Sequence, residues 1–318
     1  MRGGPNEPVA LRTSFGWVFC GPTGGNDQDC TESMSVQVCA NQQLNDTLQK
    51  FWNLETIGIT PVEMSVSTCQ SESTVLKKFK ETLAYKNGRY DVSLPWKDEQ
   101  IVLKDNHEQA RSRLYNLEKN LLEDSSKPKS YEEAINNYVE DVVAEEVPYE
   151  QYAPADGRPV FYLPHHAVIR EDKQTTKTRV VFDASARDFN GVSLNSCLEA
   201  GSALHPDLVG ILVRFRKNQV GVMGDVEKMF LQIGLKEEDR DSHRYLWRNL
   251  DPDATPKIYR MTRVTFGVIS SLFLAICTTQ EHARRCQETF PEASDEILRN
   301  TYVDDFASGK DTLREAVR

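Results

Sequence analysis

"TYVDDFASG" (residues 301–309) sets two adjacent acids, Asp304 and Asp305, between Tyr302–Val303 and Phe306–Ala307. The surroundings predict a β-hairpin with the two carboxylates at its tip. Like charges side by side repel, so the placement needs a reason. A solvated turn is one. A site for divalent metal is another, and Asp225 favours it, because it ends the apolar stretch "QVGVMGD" (219–225), which predicts a buried strand. Three carboxylates at strand ends share one site if those strands are neighbours. Oxygen-only ligands suit Mg²⁺ or Mn²⁺. Two such ions about 3.5–4 Å apart can hold both the attacking and the leaving oxygen of a phosphoryl displacement. Without cations, clustered carboxylates raise one another's pKa.

The rest of the chain sets bounds on that reading. Its 318 residues are 39% hydrophobic and 27% charged, the composition of a folded soluble protein. The most apolar run, Val264 to Thr279, is broken by Gly267, Ser270 and Ser271. It is also shorter than the roughly 20 residues a membrane span needs. The start, "MRGGPNEPVALR", lacks the apolar core of a signal peptide. Seven cysteines without a CxxC pair give neither a disulfide framework nor a zinc site, which fits a reduced intracellular protein. The net charge of −10 lies mostly in the first half: residues 1–150 carry 15 Lys+Arg against 24 Asp+Glu, residues 151–318 carry 23 against 24. The charge therefore neither excludes nor indicates a nucleic-acid partner.

Three segments follow from texture. Residues 1–45, rich in Gly, Pro, Asn and Gln, predict a poorly ordered tail with a strand-like island at "SFGWVFCG" (14–21). Residues 46–150 predict a mostly helical connector. It has a helix near 44–51, a strand in "GRYDVSLPWK" (88–97), and a helix over 105–123 with Leu114, Leu117 and Leu121 on one face. Ser130 and Glu133 form a capping box that opens another helix to about Glu146. Residues 151–318 are richer in strands: "RPVFYLPHHAVIR", "TRVVFDAS", "RYLWR" and "IYRMTRV". Helices are predicted over 206–217, 270–289 and 292–300, and from near Asp311, where the stop at Arg318 reads as a truncation. Strands and helices without strict alternation indicate α+β.

Four stretches occur in one order: "TKTRVVFDASA", "MGDVEKMFLQI", "RVTFGVISSLFLA" and "TYVDDFASG". That series resembles the fingers-and-palm motifs of reverse transcriptases, and its wording is similar to the Pao/BEL class of LTR retrotransposons. "FWNLETIGI", "GRYDVSLPWK" and "FYLPHHAVIR" resemble the region ahead of that class's polymerase, and "FGWVFCG" the end of its peptidase. The resemblance implies reverse-transcriptase-like fingers and palm over 151–318, with an antiparallel palm sheet, behind a partly helical connector. The thumb, RNase H and integrase would follow Arg318, and no Asp-Ser/Thr-Gly peptidase signature occurs.

The resemblance also implies roles. Asp225, Asp304 and Asp305 would be the catalytic, metal-binding carboxylates, with the carbonyl of Val226 as a further ligand for two Mg²⁺ (or Mn²⁺) ions. Arg179 and Lys173 would hold the incoming triphosphate, and Phe230 would be a steric gate against a ribose 2′-hydroxyl. Phe266 and Gly267 would pack against nucleotide and template, and Tyr302 would lie near the primer terminus. Rival readings stand beside these: Arg179 as a surface arginine, and Phe230, followed by Leu231 and Ile233, as plain core. His165 and His166 point to opposite faces of a strand, which argues against joint metal binding. "SGKD" (308–311) lacks the glycine and Ser/Thr of a phosphate loop. Leu272 stands where the family commonly has proline, which puts the start of the following helix in question.

The implied function is RNA-directed DNA polymerisation within a polyprotein. The partners would be an RNA template with a DNA primer, dNTP, and other parts of the pol polyprotein, with no membrane. The implied place is intracellular and cytoplasmic, inside a virus-like particle for an intact element. The alternatives are a non-catalytic remnant of such a polymerase, acting as a binding or structural module, and a generic metal-dependent phosphohydrolase.

Overall fold

Residues in the first turn settle where several helices begin. The Asp207 carboxylate accepts from the Gly210 amide (2.7 Å) and opens the helix Leu208–Lys217. Ser193 and Ser196 cap each other's backbone to start Leu194–Cys197, and Pro291 opens Pro291–Asn300, where its missing N–H costs nothing. The computed structural model describes residues 9–13, 16–20, 66–98, 103–123, 127–153, 158–169 and 178–316. The helix expected from Ser130 starts earlier, at Lys127, with Pro128 in its first turn. Ser130 donates back to the Lys127 carbonyl (3.1 Å) rather than forming a capping box. That helix stops at Glu140, and Ala144–Glu146 is a strand rather than the helix's last turn.

The chain divides into two compact units, Met1–Glu63 and Met64–Arg318. In the first, Val9–Thr13 and Gly16–Cys20 pair as an antiparallel hairpin within the segment read as a poorly ordered tail. The helix expected near 44–51 lies outside the described residues.

The second unit is α+β, with small and mainly antiparallel sheets. Lys257–Met261 lies between Arg244–Trp247 and Ala144–Glu146 in one antiparallel sheet. His165–Ile169 pairs with Thr178–Phe182. Arg89–Val92 pairs antiparallel with Ala84–Lys86 and parallel with Gly234–Leu235. The described residues of 66–150 and of 151–318 share one core: Phe79, Leu94, Leu114, Tyr131 and Ile135 are buried in the same cluster as Leu163, Tyr245, Trp247 and Phe273. Among the described residues, no helix is long and apolar enough to cross a membrane.

Buried polar groups tie this core together. In the helix His107–Leu122 the buried stripe is Ala110, Leu114, Glu118 and Leu121, and Glu118 takes two guanidinium bonds from Arg248 (2.9 and 2.6 Å). Arg244, fully buried, donates to Asp241 (2.8 Å) and to the Tyr152 and Gln151 carbonyls (2.8 and 2.6 Å). Asp239 accepts from the Leu94 amide and the Trp96 indole, both at 2.7 Å, which fixes the end of the 88–97 stretch to the rest of the unit. His165 is buried while His166 is exposed, as the strand alternation requires. Tyr131 donates to His165 Nδ1 (2.5 Å), and the His165 Nε2–H donates to the Leu246 carbonyl (2.9 Å).

Candidate functional site

The hairpin of the opening stretch is built as expected. Thr301–Tyr302 and Asp305–Lys310 pair antiparallel, and Asp305–Lys310 continues onto Val220–Asp225 in a three-stranded sheet. Register puts Asp305 directly opposite Asp225. Because the Val226 amide bonds the Asp304 carbonyl (2.9 Å), the pair one step away, Asp225–Asp305, is a non-hydrogen-bonded pair. In such pairs the Cα atoms come to about 4.5 Å and side chains are closest. Like charges opposite each other oppose pairing, so the register is held by other forces.

Two contacts at the far end of the sheet supply them. A Cβ on Gly221 would fall 2.8 Å from the Phe215 ring, and one on Gly309 would fall 2.9 Å from the Phe215 carbonyl. The helix Leu208–Lys217 therefore seats against both strands only where glycine passes. On the opposite side, Glu296 accepts from Lys310 Nζ (2.6 Å), Ser308 Oγ (2.5 Å) and Asn300 Nδ2 (2.6 Å). Burial raises the pKa of Glu296, but these donors, Lys310 first, outweigh it and hold the carboxyl below its ordinary range. Lys310 thus serves the sheet, consistent with reading "SGKD" as no phosphate loop.

The expectation of a buried strand over 219–225 is corrected. Val220–Asp225 is largely exposed, with Met223 at 74%. Val220 and Val222, on one face, are half-buried, and Met223, on the other, is exposed.

At the tip, Val303 has φ 60°. It is the first of the two residues between Tyr302 and Asp305, a position that favours glycine in tight hairpins. A β-branched residue there costs on the order of 1–3 kcal/mol, offset by Val303 packing against the core cluster. Asp304 is half-buried. Burial raises its pKa; its own backbone amide lowers it, the Asp305 and Asp225 carboxylates raise it, and Arg179 lowers it, with a net upward shift. Among the described residues, no three His, Cys, Asp or Glu side chains already converge to hold a metal ion. The donor chemistry nevertheless suits a hard cation. All donors are oxygens, and the like charges lack full compensation. Asp225 and Asp305 are exposed.

Arg179 is exposed on Thr178–Phe182, opposite Val168, and its field reaches Asp304. Lys173 lies outside the described residues. Phe230 sits in the short turn Met229–Gln232, buried at 9% and part of the core cluster. Its ring meets Phe266 edge-to-face at 4.5 Å, and Phe266 is 46% exposed. The aromatic pair thus links core to surface. Tyr302 packs on the His205 ring at 5.0 Å. Val226 is partly exposed beside Asp225.

Gly267 has φ +93°, and a Cβ there would lie 2.1 Å from the Phe182 carbonyl. Asn195, which the sequence did not single out, locks the same place. Its amide nitrogen donates to the Gly267 carbonyl (3.0 Å) and Ser185 Oγ (2.9 Å), and its oxygen accepts from the Ile269 amide (2.8 Å). The Asn195 amide also donates to the Ala184 carbonyl (3.0 Å). The Phe266–Gly267 turn is thereby tied to the turn after Phe182. Only the dipeptide "LN" at the start of a short helix marks Asn195 in the sequence, too weak a signal to find it. Despite Leu272, the next helix starts at Ser271, whose hydroxyl donates to the Thr265 carbonyl (2.6 Å).

No protein-family model matches the chain, and no curated protein matches it.

Proposed function

We propose that residues 151–318 are the fingers–palm part of an RNA-directed DNA polymerase from a Pao/BEL-type retrotransposon polyprotein, with residues 46–150 forming its connector. The register that sets Asp225 opposite Asp305, with Asp304 in the adjoining turn, carries this reading. The field of Arg179 on Asp304 supports it, because it brings a fingers-type cation toward the carboxylates.

Asp225, Asp304, Asp305 and the Val226 carbonyl would hold two Mg²⁺ or Mn²⁺ ions. Such ions neutralise charge on the oxygens of an in-line phosphoryl transfer. The residues' own contributions are simpler. Arg179 attracts the triphosphate, the Phe266–Gly267 turn offers a flat surface to the base, and Tyr302 borders the primer end. The RNA–DNA duplex would be held by backbone and shape.

The test is primer extension on an RNA template with Mg²⁺. Asp304→Asn should lower the rate by at least about a hundredfold; full activity in that variant would overturn the metal assignment. The second reading, a non-catalytic remnant, is favoured by Leu272 where the family commonly has proline. It predicts a wild-type chain that folds and never extends a primer.

A further inference from the structure

The segment Leu231–Leu235, just past Phe230, gathers three arginines. Arg89 donates to the Gln232 and Leu231 carbonyls (2.9 and 3.3 Å). Arg240 donates from Nε to the Leu235 carbonyl (3.1 Å) and lies 3.7 Å from Glu145. Arg263 is paired through its backbone with Gly234. Among the described residues, its guanidinium makes no hydrogen bond and no ion pair within 4.0 Å. Burial, and then the charges of Arg89 and Arg240, push its pKa down; Asp91 and Glu145 compensate in part. Glu145 is itself held at 2.7 Å by Arg260.

The three arginines are half-buried, and of the two carboxylates that act on Arg263, Glu145 is already engaged by Arg260, so positive charge is left in excess. A guanidinium is a planar fork of five donors that matches phosphate oxygens in pairs. Repulsion of this kind is costly in an empty site and favourable once an oxyanion is bound. Arg89 and Arg240 are each anchored by carbonyls, so two of the three cations are already placed. Arg263 retains its donors for a ligand.

We infer that Arg89, Arg240 and Arg263 form a binding site for a phosphate oxyanion. Its source is either the phosphodiester backbone of a bound nucleic acid or a free polyphosphate. The site does not depend on the polymerase reading, since phosphate can bind there without catalysis.

The experiment uses the full chain in metal-free buffer with two probes, a labelled RNA–DNA hybrid followed by anisotropy and inorganic tripolyphosphate followed by calorimetry. Arg263→Gln should weaken the bound probe about three- to tenfold, and for the hybrid it should lower the salt slope by about one. Its melting temperature should stay level or rise, because a repelling charge is gone. Arg263→Lys should recover part of the affinity. Weakening of the hybrid alone identifies backbone phosphodiesters as the source, and weakening of tripolyphosphate alone identifies free polyphosphate. If Arg263→Gln fails to fold, Arg240→Gln takes its place with the same expected loss. Wild-type protein that binds neither probe, or arginine variants that bind as wild type does, would overturn the site. Primer extension by the wild-type chain reads the polymerase proposal separately: a chain that binds a probe and extends no primer fails that reading and leaves the arginine site standing.

Discussion

Acid should unfold this protein through two buried histidines before it titrates most carboxylates. Burial lowers the His165 pKa to about 4, with a hydrogen bond to the Leu246 carbonyl pulling the other way. Burial lowers that of His243 to about 3. An unfolded histidine titrates near 6.5. Both groups are therefore neutral when folded and protonated when unfolded over the window from about pH 6.5 to pH 4. Their contribution is fully present above pH 6.5 and is lost as pH falls. At about pH 5 the loss is on the order of 2 kcal/mol for each histidine, or about 4 kcal/mol together. That is a large fraction of a typical total of about 5–15 kcal/mol. Asp239 works in the opposite direction, since burial raises its pKa and acid relieves the cost of its charge. A single wild-type pH curve therefore mixes signs.

A variant separates them. His165→Gln keeps an acceptor for Tyr131 and a donor for Leu246 but carries no titrating ring. Urea unfolding from about pH 7.5 to about pH 5 should show the variant losing roughly 2 kcal/mol less than wild type. Equal losses in the two proteins would refute the reasoning, because His165 would then not be the group that protonates on unfolding.

Other substitutions probe particular contacts. Gly267→Ala should cost more than about 2 kcal/mol, read as a lowered urea midpoint, since the added carbon meets the Phe182 carbonyl; an unchanged midpoint would contradict the described turn. Asp239→Ala strands the Leu94 amide and the Trp96 indole N–H and should cost roughly 2–4 kcal/mol, with faster hydrogen exchange at Leu94. Phe230→Val should admit ribonucleotides during primer extension if the ring is a gate. If it lowers stability by about 1–3 kcal/mol with discrimination intact, the ring is core packing alone.

Much of the element order was legible because local chemistry agrees with the fold. Asp207 and Pro291 stand at helix starts, and the apolar rhythm of "RYLW" matches a strand buried on both sides. Two misreadings have distinct causes. Ser130 and Glu133 matched a capping box, but Pro128 favours an earlier start, and the pattern competes with a neighbour it does not include. "QVGVMG" reads as buried because its residues are apolar, yet burial depends on what covers a strand, and that is not local information. Asp239, inside the charged run "KEEDRD", looks like surface; only the distant Leu94 and Trp96 reveal it as a buried acceptor. Asn195 was invisible for the same reason. For the candidate site, the ordered motifs named Asp225 and Asp305, and the cross-strand register then placed them opposite each other.

Gly221 and Gly309, paired at one end of the sheet, and Asp225 and Asp305, paired at the other, lie on the same face of both strands. Side chains alternate faces at every residue, so a shift of one residue would turn a carboxylate to the wrong side. The crowding against Phe215 therefore acts as a detent: it fixes the count of residues from the helix to the acids. Between those two rungs the strands can vary in side chain. They cannot vary in length, and a single inserted residue would undo the pair more thoroughly than most substitutions.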